Sequence, residues 1–372
     1  MDKKKVENIK INVKKTVLVA PLDWGLGHAT RCIPIIYGLL KEGHKVLVAA
    51  EGPIKILLQQ EFQDIEYLPL KGYGINYNKT QSSLSFKIIL QIPKILKAIS
   101  FERRWLKEII IKNKIDIVIS DNRFGLHNKK VFSIFITHQL LIKSSYLQKW
   151  LQKLNYQLIS KFNECWVPDF STIPGLAGEL SHPKKMPVIP VRYIGWLSRF
   201  KKSEEKKEEK HLLILLSGPE PQRTILEKKI VAQLEKYLQP VLIVRGLPGN
   251  KSSLETKSNV NYINHLPSKE LEEVILHATF VIARSGYSSV MDLLKLKKKA
   301  IFIPTPGQTE QEYLSQHLLK QKLAYCINQE TFDLETTLKA AGSFPYTCFH
   351  HDATPLLKEA LLFNNKAKKS PE

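Results

Sequence analysis

One histidine stands where a nucleotide-binding loop ordinarily keeps only glycine and backbone. After the apolar run Thr16–Ala20 the chain reads Pro21-Leu22-Asp23-Trp24-Gly25-Leu26-Gly27-His28 and then enters a stretch of helical periodicity. At the start of a helix the positive end of the dipole disfavours the imidazolium, which leaves the neutral ring that a general base needs. Sited on a cleft, His28 takes a proton from an acceptor hydroxyl; the alternative is a polar residue that only hydrogen-bonds its own loop. The glycine series starts like a dinucleotide fingerprint, with Glu51 after the second strand as its ribose-binding acid. Its third glycine is replaced by Thr30, however, and Trp24 and His28 occupy positions where a pyrophosphate wants small residues. The segment 246–253 has a lysine and serines without Walker A spacing and reads as a surface loop.

A second set of chemical groups follows strands in the other half of the chain. Ser217 and Gly218 sit where backbone N–H groups and a hydroxyl hold an anion at a helix N-terminus. Arg284, Ser285, Gly286 and Ser288 form a compact donor cluster, with the Asp292 carboxylate one or two turns on. Gln308, Glu310, Gln311 and Glu312 open the helix after the next strand, where the two glutamates also suit the dipole as capping residues. A phosphate cradle, a ribose carboxylate and an amide cluster together describe a nucleotide-diphosphate pocket. Gly25 and Gly27 then give a tight turn facing that pocket, with Gly27 near the donor phosphates.

The elements that must position these groups alternate. Strand-length runs at 16–20, 45–50, 116–121 and 132–137 are separated by helical stretches, and Gly43 fits the C′ position of the first helix. The polar run 201–210 interrupts the pattern, which restarts with runs at 211–220, 240–246, 259–264, 280–286 and 300–305. This predicts an α/β fold of two Rossmann-like domains facing a cleft, with ligands at the carboxyl ends of the strands. The expected boundaries are 14–198 for an acceptor- and membrane-facing domain, 199–210 for a charged linker and 211–330 for a donor domain. Residues 331–372 would form C-terminal helices and a basic tail.

In this order the motifs resemble the GT-B glycosyltransferases related to MurG. The resemblance covers most of the chain and is strongest in the C-terminal half. It rests on Gly25-Leu26-Gly27-His28, on Arg284-Ser285-Gly286 with Ser288-Ser289-Val290-Met291-Asp292, and on 304–312. Such enzymes move N-acetylglucosamine from UDP-GlcNAc to a lipid-linked acceptor. The resemblance implies that Asp292 replaces the glutamate that binds the donor ribose. It puts the family's glutamine pair at Gln311 and Glu312, its second-domain glycine loop at Ser217-Gly218-Pro219, and its junction arginine at Arg199. It implies inverting transfer without a bound metal or other cofactor, with His28 as base; Asp23 and Asp121, each at the end of a strand-length run, are the alternative bases. Ser217, Gly218, Arg284 and Ser285 would stabilise the leaving diphosphate. A UDP-GlcNAc 2-epimerase-like enzyme and a non-catalytic nucleotide-sugar binder are the alternative readings.

The acceptor side is marked by charge. Of the 372 residues, 56 are Lys or Arg against 35 Asp or Glu, a formal charge of +21, so an anionic partner is expected unless the lysines merely reflect a lysine-rich proteome. No common nucleic-acid module signature is present. Residues 79–112 hold eight Lys/Arg against two Glu, with Ile88, Ile89, Ile92, Ile95, Leu96 and Ile99 at helical spacing. This reads either as an interfacial helix on an anionic membrane or as an ordinary packed helix with snorkelling lysines, and Pro93 would kink or divide it. The basic, aromatic-rich helix 146–162 would share the membrane role. Asp23, Asp121 and His138 (with Gln139) are the acceptor-contact candidates, and loop hydrogen bonding is the alternative for the His-Gln pair. Cys32, Cys165, Cys326 and Cys348 have no paired spacing and read as buried thiols of a reduced cytosol. With no apolar h-region and no run of spanning length, a cytoplasmic protein, peripheral on the inner face of the plasma membrane, is expected. Peptidoglycan lipid, a lipopolysaccharide or capsule precursor, and a diacylglycerol are all compatible acceptors.

Overall fold

The computed structural model describes residues 14–74, 91–144, 147–201, 208–250, 259–349 and 356–363. Thirteen strands among them form two all-parallel sheets. The first has the order β3-β2-β1-β4-β5-β6-β7, from β1 (Thr16–Pro21), β2 (Lys45–Ala49), β3 (Glu66–Leu68), β4 (Ile117–Asp121), β5 (Phe132–Ile136), β6 (Glu164–Val167) and β7 (Val191–Tyr193). The second has the order β10-β9-β8-β11-β12-β13, from β8 (His211–Leu215), β9 (Val241–Val244), β10 (Val260–Ile263), β11 (Ala278–Ala283), β12 (Ala300–Phe302) and β13 (Tyr325–Cys326).

Period-2 side-chain alternation explains why both faces of each sheet are covered. In β1, Val17 and Val19 pack with Cys32, Ile35, Ile36 and Leu39 of helix α1 (Leu26–Lys41). Leu18 and Ala20 face the other way, onto Leu106 and Ile110 of α3 (Ile92–Asn113), which follows α2 (Gly52–Glu61). The second sheet repeats this: Leu212, Ile214 and Ile282 pack on Leu226 and Ile230 of α5 (Gln222–Val231), after α4 (Gln148–Ile159). Helices α6 (Ser268–Leu276), α7 (Tyr287–Lys295), α8 (Thr309–Lys320) and α9 (Leu334–Gly342) complete that half. Helix α10 (Leu356–Leu361) returns to the first half, where Leu361 meets α1 so closely that a Cβ on Gly38 would lie 2.3 Å from it.

Pro93 stands in the first turn of α3, where its missing N–H costs nothing, and so marks where that helix begins. The part of the expected basic helix at 79–90 lies outside the described residues, as do 202–207 of the polar run. Within the described part, Ile99, Leu106 and Ile110 face the sheet, so the apolar stripe of α3 is core. Leu96, Phe101 and Ile111 remain exposed on its outer side. Among the cysteines, Cys32 and Cys165 are buried but Cys348 is exposed.

Each sheet reverses its strand order once, between β1 and β4 and between β8 and β11. Chain segments diverge at such points and leave a crevice at the carboxyl ends of the strands.

Candidate active site

Register alone brings the first group of side chains together. Asp121 ends β4 opposite Pro21 of β1 and Ile136 of β5. The loop leaving β1 leads into α1 with His28 as its third residue, so His28 meets Asp121 at the switch point, and the loop leaving β5 carries His138, which meets Arg31 beside it. Gly25 makes the entry possible: its φ of 139° lies where residues with a Cβ are strained. Arg31 follows His28 by three residues and therefore shares its helix face.

The resulting network is tight. His28 Nδ1 lies 3.0 Å from Asp121 Oδ2. Arg31 clamps the same carboxylate, Nε on Oδ2 at 2.8 Å and NH2 on Oδ1, and the same NH2 lies 2.7 Å from His28 Nδ1. Burial, with Arg31 beside it, lowers the His28 imidazole below its ordinary value; Asp121 pulls the other way. Burial opposes ionisation of Asp121, but Arg31 and His28 outweigh it and hold the carboxyl at about 2. His28 keeps 16% of its side-chain surface exposed, whereas Asp121 has none. Asp121 is thus the carboxylate behind the imidazole, which corrects its assignment as an acceptor contact or alternative base.

His138 is also corrected. It is buried, stacked on Tyr287 at 4.2 Å between ring centroids, with Nε2 2.6 Å from Glu310 Oε1 and Nδ1 3.4 Å from Arg31 NH1. Burial disfavours the Glu310 anion, but His138, Arg31 and His28 together keep its carboxyl below the ordinary value. The ring therefore couples the two halves rather than facing an acceptor. Three more bonds cross at this seam: Ser288 Oγ donates to Gly27 O at 2.8 Å, Tyr287 OH to Pro168 O at 2.7 Å, and Thr309 Oγ1 to Lys143 O at 2.8 Å. A Cβ on Gly27 would stand 3.0 Å from Ser288 Oγ, so any larger residue requires Ser288 to shift by a few tenths of an ångström.

The donor-side residues divide into two groups. Gly218 (φ 99°) lines the cleft and Ser217 beside it is half-buried. Gly286 caps α7 with open space on its Cα. Arg284, by contrast, is turned into the protein. Its NH1 donates to Pro304 O at 3.0 Å, and its NH2 to Gln222 O at 2.8 Å and Gln329 Oε1 at 2.6 Å. Burial brings its guanidinium down to about 10. Ser285 Oγ donates to Gln311 O at 3.0 Å. These two tie loops together and do not face a diphosphate. Gln311 accepts from Thr305 N at 2.9 Å and Glu312 from Gly307 N at 2.8 Å, so both brace the loop that precedes α8. Asp292 and Arg199 meet each other, Oδ2 to Nε at 3.5 Å, and burial pushes the Asp292 carboxyl up against the opposing pull of Arg199.

Between the halves lies a cavity of roughly 470 Å³. One wall comes from Asp23, Gly25 and Leu26 and from residues 50–54 at the start of α2, the other from Gly218, 246–248 and Asn250. Asp23 is exposed there and also accepts from Tyr73 N at 3.0 Å; a Cβ on Gly72 would overlap its carboxylate. This volume suits a small-molecule ligand. Among the described residues no group of three or more His, Cys, Asp or Glu is arranged to hold a metal ion.

Comparison with known proteins agrees with this arrangement. Residues 202–347 match the glycosyltransferase family 28 C-terminal domain. The chain is a GT-B glycosyltransferase. It is similar, at 25% identity over 305 residues (75% of this chain, 83% of the relative), to the UDP-N-acetylglucosamine–N-acetylmuramyl-(pentapeptide) pyrophosphoryl-undecaprenol N-acetylglucosamine transferase of Buchnera aphidicola. An uncharacterized glycosyltransferase of Methanosarcina acetivorans is 24% identical over 325 residues, 77% of this chain and 79% of that protein. The fold is that of the kitacinnamycin glycotransferase (TM-score 0.63, 14% identity, 95% of each chain) and of Acinetobacter baumannii MurG (TM-score 0.51, 16% identity, 94% of each chain). The resemblance to MurG read from the motifs therefore holds at the level of fold and enzyme class.

Sequence reasoning missed Arg31, Glu310 and Tyr287 as members of the site. Arg31 was open to detection, since His-x-x-Arg places a guanidinium one turn from the imidazole. Glu310 passed for a helix cap because nothing in the sequence says which loop of the other domain faces it.

Proposed function

We propose that this glycosyltransferase moves a hexosyl group, N-acetylglucosamine from UDP-GlcNAc, with inversion and without a metal, to a hydroxyl of a lipid-linked or cell-envelope acceptor. The observation that carries the reading is the His28–Asp121 contact at the switch point between β1 and β4, with the carboxylate buried behind a partly exposed imidazole. With its hydrogen on Nδ1 and donated to Asp121, the ring offers the Nε2 lone pair to the acceptor hydroxyl. As that oxygen attacks the anomeric carbon, its proton passes to Nε2. The bond from the anomeric carbon to the phosphate oxygen breaks, and the diphosphate leaves with the electron pair. The Ser217–Gly218 loop and the N-terminus of α7 at Gly286 are the groups proposed to meet that charge. The donor assignment leans on the printed substrate of the Buchnera relative.

The lipid side is supported by surface chemistry. Leu96, Phe101 and Ile111 on α3, and Leu147 and Trp150 at the start of α4, are exposed beside Lys94, Lys97, Lys149 and Lys153, which fits an anionic bilayer surface. Among the described residues no helix is long and apolar enough to cross a membrane. A peripheral place on the cytoplasmic face follows within this proposal.

The test is a thermal-shift and hydrolysis screen of UDP-, GDP- and dTDP-sugars, followed by transfer to membrane-lipid extracts. UDP-GlcNAc should shift the protein, and His28→Ala should abolish transfer while largely sparing UDP binding. Unchanged turnover in that variant removes His28 as base, and a shift with NAD or FAD alone overturns the donor class.

A further inference from the structure

Nδ1 of His28 faces two groups with opposite requirements. Asp121 Oδ2, 3.0 Å away, accepts a hydrogen and favours the tautomer with its proton on Nδ1. Arg31 NH2, 2.7 Å away, only donates; it favours a lone pair on Nδ1 and hence the proton on Nε2. A neutral imidazole cannot satisfy both, and only the Nδ1–H form leaves Nε2 free to take a proton.

We propose that Arg31 is a positioning residue that decides which nitrogen of His28 carries the proton. In this arrangement it holds the hydrogen on Nε2, and the base form arises when its NH2 moves off Nδ1. This rests on the reading of His28 as the base.

The place of Arg31 is fixed from three sides. Nε and NH2 hold both oxygens of Asp121, which keeps the guanidinium beside the carboxylate. NH1 points to His138 Nδ1 at 3.4 Å. His138 Nε2 donates to Glu310 at 2.6 Å, which leaves its Nδ1 with a lone pair toward Arg31. The third corner of the guanidinium is thus held by a carboxylate of the donor domain. The charged and titratable groups around His28 are Arg31 on its own helix, Asp121 at the end of β4, His138 after β5 and Glu310 on α8. Cys32 Sγ lies 4.0 Å from the same Asp121 oxygen, and burial raises its thiol far enough to keep it neutral.

Ring-nitrogen NMR of the full chain labelled with 15N-histidine reads the tautomer directly, with His28 assigned by its loss in His28→Ala. The wild type should show the Nε2–H pattern at His28. Arg31→Met should show Nδ1–H, and so should Arg31→Lys, which keeps the charge but lacks the planar fork. In Arg31→Met the acid limb of the pH profile for UDP release with lipid extract should also move up by about one unit or more, the scale of one charge at this range. A purely structural role would lower the rate and leave that limb in place. Should Arg31→Met not fold, the wild-type spectrum and the lysine variant decide. A wild-type Nδ1–H pattern, or an unchanged pattern in folded Arg31 variants, overturns the proposal. Full transfer by His28→Ala instead defeats the base reading, whatever the spectra show.

Discussion

Replacing Asp121 by Asn keeps its volume and removes its charge. The carboxyl stands at about 2, below its ordinary 3.8, which is on the order of 2 kcal/mol of stability at neutral pH. The folded value is depressed, so this contribution is complete above the unfolded value and is lost as pH falls through 2. At pH 3 about half of it should remain. The variant also leaves the Arg31 guanidinium, 3% exposed, without its buried counter-charge. Breaking a buried pair from one side costs about 3–5 kcal/mol, so the total at pH 7 should fall in that range. Urea unfolding at pH 7 and at pH 3 measures both figures, and the gap between wild type and Asp121→Asn should narrow by roughly 1 kcal/mol at the lower pH. In the folded variant kcat should drop by about 10²-fold or more, since an amide in place of the orienting carboxylate of a catalytic histidine costs up to about 10⁴. A stability gap independent of pH, or wild-type kcat in the folded variant, would refute the charge-and-orientation argument.

Two further substitutions separate holding from binding. Arg284→Met should lower the melting temperature markedly, because it strips donors from four acceptors in three separate segments, yet the UDP affinity of the folded fraction should be close to wild type; a large loss of affinity with unchanged stability would return Arg284 to the diphosphate. Glu310→Gln should cost about 1 kcal/mol or less in urea unfolding, since its side chain is 31% exposed. The folded carboxyl of Glu310 is depressed, so the wild-type advantage is present above its ordinary 4.5 and fades as pH drops below it; a difference that grows at low pH would contradict the His138 pairing.

How much of this was legible in the sequence depended on whether the signal was local. The strands β1, β4, β8 and β11 are continuous apolar runs bounded by polar residues, and buried parallel strands leave that trace. The histidine in the first loop was legible for the same reason, as a departure from a motif within eight residues. The orientation of Arg284 was not. An arginine after a strand looks the same whether it reaches into a cleft or back toward Pro304 and Gln222, and those partners lie 20 and 62 residues away. Asp292 and Arg199 were each read as meeting a ligand, yet they meet each other across 93 positions. Two buried opposite charges attract wherever the fold sets them close, and periodicity carries no record of that distance.

That pairing has a consequence for the order of events. The expected ribose carboxylate faces Arg199, the Gly27 carbonyl is taken by Ser288, and the α7 N-terminus carries Tyr287 packed on His138. On the donor site proposed above, a nucleotide diphosphate calls on these same groups, and its entry then requires the seam between the halves to loosen. The cavity between the halves is lined by Asp23, Glu51 and Gly218, on the β2 and β9 side of the two switch points. Binding on one side and docking on the other side then compete for a single interdomain geometry, and a ligand shifts that geometry only by its differential affinity. Arg31 sits where the competition is felt, since it touches the base, its carboxylate and, through His138, the donor domain. A histidine poised as a base in a cleft without an acceptor would activate water against the donor sugar, and a guanidinium that keeps its lone pair turned away until the domains move limits that loss.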